Sequence, residues 1–285
     1  MTKIIDGKAL SNEIKDNLKE KVIDFKKQYN KDITLAVVLV GENPASQVYV
    51  KNKIKACEYT GIKSLSFYLP ENSEESDVIQ TIQSLSKDDS VDGILVQLPL
   101  PKHINEEKIL SYIPAEKDVD GFKAENIGNL AMNRDSVIAC TPYGVMKLLE
   151  KYNVNLTGKN AVVVGRSNIV GKPLAMLLLN ANCTVTICHS KTNNLSEITK
   201  NADVLVAAIG KANFITADMV KKDAVVIDVG INRTENGLKG DVDFESVSKV
   251  ASLITPVPGG VGPMTIAMLM ENTYLCAKRR IINGI

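Results

Sequence analysis

Tyr49 and Lys53 stand four residues apart in a segment of helical composition, which places a phenol and a primary amine side by side on one face. An amine drawn into apolar surroundings gives up its proton more easily and can then act as a base. Without partners, the same pair is a half-buried aromatic beside a surface cation. Two other segments offer partners. In Gly93-Ile94-Leu95-Val96-Gln97-Leu98-Pro99-Leu100-Pro101, an apolar run ending in two prolines, Gln97 is the one polar side chain near the carboxyl end. Ligands of open α/β sheets bind beyond that end, and a buried amide needs a hydrogen-bond partner, either backbone or Lys53. Lys117-Asp118-Val119-Asp120-Gly121-Phe122 then sets two acids on a loop between predicted domains, where small-molecule sites are often built. Turn formation suits Asp118 better than Asp120, and Asp120 is the candidate acceptor for an amino-heterocycle.

A different chemistry is written further along. The apolar run Ala161-Val162-Val163-Val164 breaks into Gly165-Arg166-Ser167-Asn168-Ile169-Val170-Gly171-Lys172-Pro173 and continues as a helix. A strand, a glycine turn and a helix N-terminus together make a phosphate-binding context. The spacing departs from G-x-G-x-x-G, because Ser167 fills the second glycine position and the last glycine comes one residue late. An ordinary strand-to-helix turn would use the same glycines for chain geometry, with Pro173 in the first helical turn. The next strand weighs on the choice. NAD enzymes place an acid after it to accept the ribose hydroxyls, whereas here the chain runs into His189-Ser190-Lys191-Thr192. Arg166, Ser190 and Lys191 together suit a 2′-phosphate, so NADP is the expected cofactor over NAD. Thr255-Pro256-Val257-Pro258-Gly259-Gly260-Val261-Gly262-Pro263-Met264-Thr265 carries more glycine and proline than a connection needs and suits close approach of backbone to a flat ligand.

These residues need a scaffold, and the apolar pattern supplies one. Leu10, Ile14, Leu18, Val22 and Phe25 recur at helical spacing, and residues 33–40 form a β-branched run that stops at Gly41. Helices over 44–60 and 73–85 then alternate with strands over 65–69 and 93–98. After Thr141-Pro142 a helix over 143–152 leads to a second series: strand 160–164, helix 170–180, and strands 184–188, 204–207, 225–229 and 253–255. A final helix spans about 264–280, with enough apolar residues to dock on the first series. Such alternation predicts parallel sheets covered by helices. The expected fold is α/β, with two α/β domains flanking a cleft, the second a Rossmann-like doubly wound NADP-binding domain. Residues 1–120 with a C-terminal helix of about 266–285 make the first domain, and 121–265 the second.

Bulk properties narrow the field. The chain has 285 residues, a length comfortable for two domains, and 45% hydrophobic with 24% charged residues gives a normal core. A formal net charge of +1 with interspersed signs argues against nucleic acid as a partner. Five cysteines, none in C-x-x-C spacing, read as reduced packing residues, and two histidines leave little for a metal site or a Ser-His-Asp triad. No run approaches the roughly 18 apolar residues of a membrane span, and the first ten residues carry Asp6 and Lys8 without an apolar core. A cytoplasmic location follows as an expectation.

Over nearly its whole length the sequence resembles the methylenetetrahydrofolate dehydrogenase/cyclohydrolase family. The matching stretches are Pro44 to Lys53, Gly93 to Pro101, Asp118 to Phe122, Gly165 to Pro173, His189 to Thr192, Ile227 to Arg233 and Thr255 to Thr265. The resemblance implies Lys53 as the catalytic lysine, Tyr49 as the aromatic against the folate, Gln97 as the amide that orients the lysine, and Asp120 as the pterin anchor. It also implies cofactor contacts at Gly165, Arg166, Ser167, Ser190 and Ile231, and substrate contacts at Pro258, Gly259, Gly262 and Pro263. The implied chemistry is hydride transfer from 5,10-methylenetetrahydrofolate to NADP⁺, then hydrolysis of the methenyl product to 10-formyltetrahydrofolate, with no metal. The family is commonly dimeric, and an edge strand around 237–243 could pair across a two-fold axis. Other readings are a dehydrogenase lacking the hydrolytic step, another NADP oxidoreductase on this scaffold, and a non-catalytic nucleotide-binding module.

Overall fold

Strands that carry no polar residue in their middle must be covered on both faces, and parallel sheets meet that requirement by laying helices over each side. The computed structural model, which describes residues 2–235 and 237–284, contains two such sheets. By compactness the chain forms two units. One comprises residues 13–129, 134–140 and 266–285, and the other residues 1–12, 130–133 and 141–265, each over its described part.

The first unit holds a three-stranded parallel sheet with Thr34–Val40 between Lys63–Leu69 and Gly93–Val96. All seven residues of Thr34–Val40 are buried, and Val38 lies in register with Phe67 on one side and Val96 on the other. Helix Glu75–Lys87 packs Val78, Ile82 and Leu85 into a core with Ala36, Val38, Ile94 and Val96. Helix Pro44–Thr60 starts where Asn43 Oδ1 accepts from the Ala45 and Ser46 amides at 2.9 and 3.2 Å, with proline at its first position. It stops at Gly61, whose φ of +79° suits glycine. Its buried residues include Ser46, Val50, Cys57 and Thr60, so Lys53 falls within the core-facing stripe. From the last helix, Val261–Asn283, the fully buried Arg280 donates through Nη1 to Asp92 Oδ1 at 2.9 Å and to the Val91 carbonyl at 2.7 Å. Asp92 also receives Lys31 Nζ at 3.2 Å and the Thr34 amide at 3.0 Å.

The second unit is built on six parallel strands in the order Lys3–Ile4, Leu253–Ile254, Val225–Asp228, Val204–Ala207, Asn160–Val164, Thr184–Cys188. From Asn160–Val164 the chain moves outward to Thr184–Cys188, then returns to Val204–Ala207 on the opposite side. The strand order therefore reverses beside Asn160–Val164, and the crevice for a ligand opens at its carboxyl end.

Several local features depart from the sequence-based expectation. The first helix begins at Gly7 rather than near Leu10, and the preceding Lys3–Ile4 is an edge strand too short to leave a periodic trace. The expected edge strand over 237–243 is shorter: Gly237–Lys239 pairs with Asn232–Thr234 as a hairpin, and residues beyond Lys239 are drawn inward by tertiary hydrogen bonds.

Candidate active site and dinucleotide turn

Lys53 is half-buried in the stripe of helix Pro44–Thr60, and its Nζ donates to Gln97 Oε1 at 2.9 Å. Gln97 follows strand Gly93–Val96, its backbone amide still donating to the Val38 carbonyl at 2.9 Å. Its Nε2 donates to the Leu98 carbonyl at 2.6 Å, which fixes the amide's orientation and leaves Oε1 turned to the lysine. Burial pulls the Lys53 pKa below the usual lysine value, and the charge of Asp120 opposes that shift. Burial also pushes the Asp120 carboxyl up to about 6, against the pull of Lys53. An amine easier to deprotonate beside an acid harder to ionise is the arrangement from which acid–base chemistry near neutral pH is built. Tyr49, one turn before Lys53, is exposed on the same helix.

Asp120 sits on a tightly held loop. Asp118 forms the turn, its carboxylate accepting from the Gly121 amide at 3.1 Å, the Lys123 amide at 2.8 Å and Asn126 Nδ2 at 2.9 Å. At Gly121, with φ of +71°, an added Cβ would come within 2.7 Å of the Ala139 amide nitrogen. Two residues complete the support: Asn272, which no sequence pattern singled out, and Cys140, expected only as a reduced packing residue. Asn272 Nδ2 donates to the carbonyls of Val119 and Ile138, both at 2.8 Å, and approaches Cys140 Sγ at 3.5 Å. The Cys140 thiol donates to the Val119 carbonyl at 3.4 Å, and burial raises its pKa well above the usual thiol value, so it stays protonated. A buried asparagine inside a helix was the available sequence signal, but nothing local tied it to Asp120.

In the second unit, Gly165 leaves strand Asn160–Val164 with φ of +133°, and a Cβ there would stand 2.2 Å from the Ala208 carbonyl oxygen. Gly171 opens helix Gly171–Asn180, and a Cβ there would stand 2.1 Å from the Gly165 carbonyl oxygen. Both glycines are required by close packing at the point where the sheet order reverses. Ser167 Oγ accepts from the Val170 and Gly171 amides at 3.1 and 3.3 Å and so shapes the turn. Arg166 and Ser190 are exposed, each just past the carboxyl end of a neighbouring strand. The loop after the second strand is closed by Thr192 Oγ1, which accepts from the His189 amide at 2.8 Å. Ile231 is exposed beyond strand Val225–Asp228, and Gly262 has room for a Cβ 3.5 Å from Ile231 Cδ1. In the loop before the last helix, Pro258 is exposed while Gly259, Gly262 and Pro263 are half-buried. The Gly259 carbonyl accepts from the Lys8 amide at 2.9 Å, and a Cβ on Gly7 would lie 1.9 Å from the Gly260 carbonyl oxygen.

A doubly wound parallel sheet with a glycine-lined turn at its switch point, joined in one chain to a second α/β unit holding a half-buried lysine and acid, defines the class: a two-unit α/β enzyme of the dinucleotide-binding type. Within that class the chain belongs to the tetrahydrofolate dehydrogenase/cyclohydrolase family. Residues 5–120 match the family's catalytic domain and residues 139–281 its NAD(P)-binding domain. The bifunctional protein FolD of Campylobacter hominis is 59% identical over 281 residues, which is 98% of each chain. The crystal structure of the bifunctional methylenetetrahydrofolate dehydrogenase/cyclohydrolase of Campylobacter jejuni superposes with a TM-score of 0.96 at 55% identity, over 98% of this chain and 100% of that one. The Trypanosoma brucei enzyme, solved with NADP cofactor and inhibitor, superposes with a TM-score of 0.94 at 37% identity, over 98% of each chain.

Proposed function

We infer that this chain oxidises 5,10-methylenetetrahydrofolate with NADP⁺ and hydrolyses the resulting 5,10-methenyl cation to 10-formyltetrahydrofolate. The observation that carries the reading is the half-buried Lys53 amine bonded to Gln97 Oε1, with Asp120 coupled to it, in a chain of this family.

NADP⁺ accepts the hydride when bound. The residues of the second unit fit it: the turn at Gly165 admits no side chain, Ser167 shapes the turn, and Arg166 with Ser190 offers charge and a hydroxyl to a 2′-phosphate. Ile231 offers an exposed apolar contact beyond the carboxyl end of strand Val225–Asp228. In the hydrolytic step, water adds to the methenyl carbon, Lys53 takes the proton released, and the ring carbon–nitrogen bond then opens as nitrogen is protonated. Gln97 holds the Lys53 amine in place, Asp120 accepts from the amino-heterocycle of the folate, and Tyr49 lies against it. Pro258, Gly259, Gly262 and Pro263 supply backbone and ring surface to the substrate. The protein works in the cytoplasm as a homodimer; among the described residues no helix is long and apolar enough to cross a membrane, and light scattering at twice the 31.0 kDa chain mass is the expected reading.

The deciding assay supplies racemic 5,10-methylenetetrahydrofolate with NADP⁺ to the purified protein and follows NADPH and methenyl absorbance, with authentic methenyl substrate in parallel. NADPH formation with decay of the methenyl band is expected. Persistent methenyl would leave a dehydrogenase alone, and silence in every well would sink the assignment.

Two further outcomes follow from the charges. Neutral Lys53 is the active form, so the hydrolytic rate rises with pH through its lowered pKa. The Asp120 charge opposes that lowering, and removing it with Asp120→Asn frees the amine's proton earlier. The Lys53 limb of the pH profile of kcat should therefore move to lower pH in this variant; an unmoved limb would separate the two groups. Arg166→Ala should raise KM for NADP⁺ by roughly tenfold, the order of a charge-assisted hydrogen bond, and leave KM for NAD⁺ nearly unchanged. Equal increases for both cofactors would remove Arg166 from 2′-phosphate recognition.

A further inference from the structure

Two carboxylates lie buried at the carboxyl end of the second unit's sheet, on the cofactor side, and neither bears a reacting group. Asp241, with no solvent exposure, accepts from three consecutive backbone amides: Ile209 at 2.6 Å and Gly210 at 2.9 Å on Oδ2, and Lys211 at 2.8 Å on Oδ1. Asn232 Nδ2 donates to the same Oδ1 at 2.9 Å. Asp228, the last residue of strand Val225–Asp228, accepts from the amides of Gly230 and Asp241 on Oδ1 and of Val242 on Oδ2, each at 2.9 Å. The two side chains cross through spaces that glycines leave open. A Cβ on Gly230 would lie 2.2 Å from Asp241 Cγ, and one on Gly240 would lie 1.8 Å from Asp228 Oδ2.

What this lock holds is the rim of the dinucleotide crevice. Residues 209–211 follow strand Val204–Ala207, next to the Ala208 carbonyl against which Gly165 packs. Residues 230–232 follow the adjacent strand and include Ile231. Successive amides pointing at one anion form a rigid concavity, and the ionised oxygens make each bond strong. We propose that Asp241 is a positioning residue for the dinucleotide: it fixes, through the amides of 209–211 and through Asn232, the two loops that border the cofactor at the switch point of the sheet. The inference rests on the NADP-dependent reading above.

The hydrolytic step uses no hydride acceptor, and this separates positioning of the cofactor from general support of the fold. Asp241→Asn replaces one carboxylate oxygen by an NH₂ that can only face N–H donors. The expected result is a rise on the order of tenfold in KM for NADP⁺ and in the NADPH dissociation constant read by cofactor fluorescence. Cyclohydrolase kcat with methenyl substrate should stay within about twofold, since no bond to the cofactor enters that step. If Asp241→Asn does not fold, Asn232→Ala removes a single donor from the same oxygen, and a smaller rise of the same kind, about threefold, is expected. Unchanged NADPH affinity in the folded variant, or a parallel fall of both activities with intact affinity, would overturn the proposal. The fluorescence titration reads cofactor binding by itself, so loss of the folate assignment, seen as an inactive wild-type protein that still binds NADPH, is distinguishable from loss of this one.

Discussion

Replacing Lys53 by methionine is expected to lower the cyclohydrolase rate by roughly 10²- to 10⁴-fold, the usual contribution of a positioned proton acceptor. Methionine fills most of the lysine stem's volume within the core-facing stripe that includes Val50 and Cys57, so the helix should stay seated. The hydride step depends more on placement than on proton transfer, because the folate nitrogen stabilises the developing cation. The dehydrogenase should therefore fall much less, and methenyl product should accumulate during turnover. Stopped assays of the two steps on one preparation read the split directly. Full hydrolytic rate in Lys53→Met would defeat the assignment of the proton acceptor.

The largest expected loss of stability lies far from any chemistry. Arg280→Leu leaves Asp92, wholly buried, with Lys31 Nζ at 3.2 Å and the Thr34 amide at 3.0 Å in place of a fully enclosed guanidinium at 2.9 Å. Stripping one partner from a buried ion pair typically destabilises by about 3–5 kcal/mol. The Val91 carbonyl also loses its donor at 2.7 Å. Urea unfolding should show a lower midpoint at unchanged slope, and the first unit is the part expected to open, since Asp92 directly precedes strand Gly93–Val96. A shift below about 1 kcal/mol would mean that Lys31 and the Thr34 amide suffice to hold the Asp92 charge.

Most of the second unit's sheet was legible: residues 160–164 and 204–207 are nearly continuous apolar runs, 184–188 is a β-branched segment, and all three carry the boundaries that pattern and flanking turns assign them. Helix 44–60 was equally readable from Asn43-Pro44 at its start and Gly61 at its end. What periodicity missed was short. Lys3–Ile4 is a strand because an edge partner is present, and Glu106–Ser111 is a helix of six residues with Asn105 as its cap. Lys53 and Gln97 were visible as polar residues in apolar settings, but their hydrogen bond joins positions 44 apart and no local pattern encodes it. Asn272 and Cys140, which hold the Asp120 loop, and Asp241, which gathers three amides some thirty residues upstream, are tertiary in the same sense. Asp228 fell inside a stretch recognised by resemblance, yet its physical reason, satisfaction of three amides at 2.9 Å, was unreadable before those amides were brought together.

The crossed carboxylates also restrict how this sequence can drift. Gly230 is open because Asp241 occupies its missing side chain's place, and Gly240 is open because Asp228 does the same. A methyl on either glycine needs the opposing carboxyl to withdraw, and withdrawal strands the amides of 209–211 or of 230, 241 and 242 without an acceptor. Lengthening either aspartate to glutamate pushes into the space that the opposite glycine surrenders. A change in side-chain size at any one of these four positions therefore needs a compensating change at its partner, so the pairs Gly230–Asp241 and Gly240–Asp228 are each constrained as a unit.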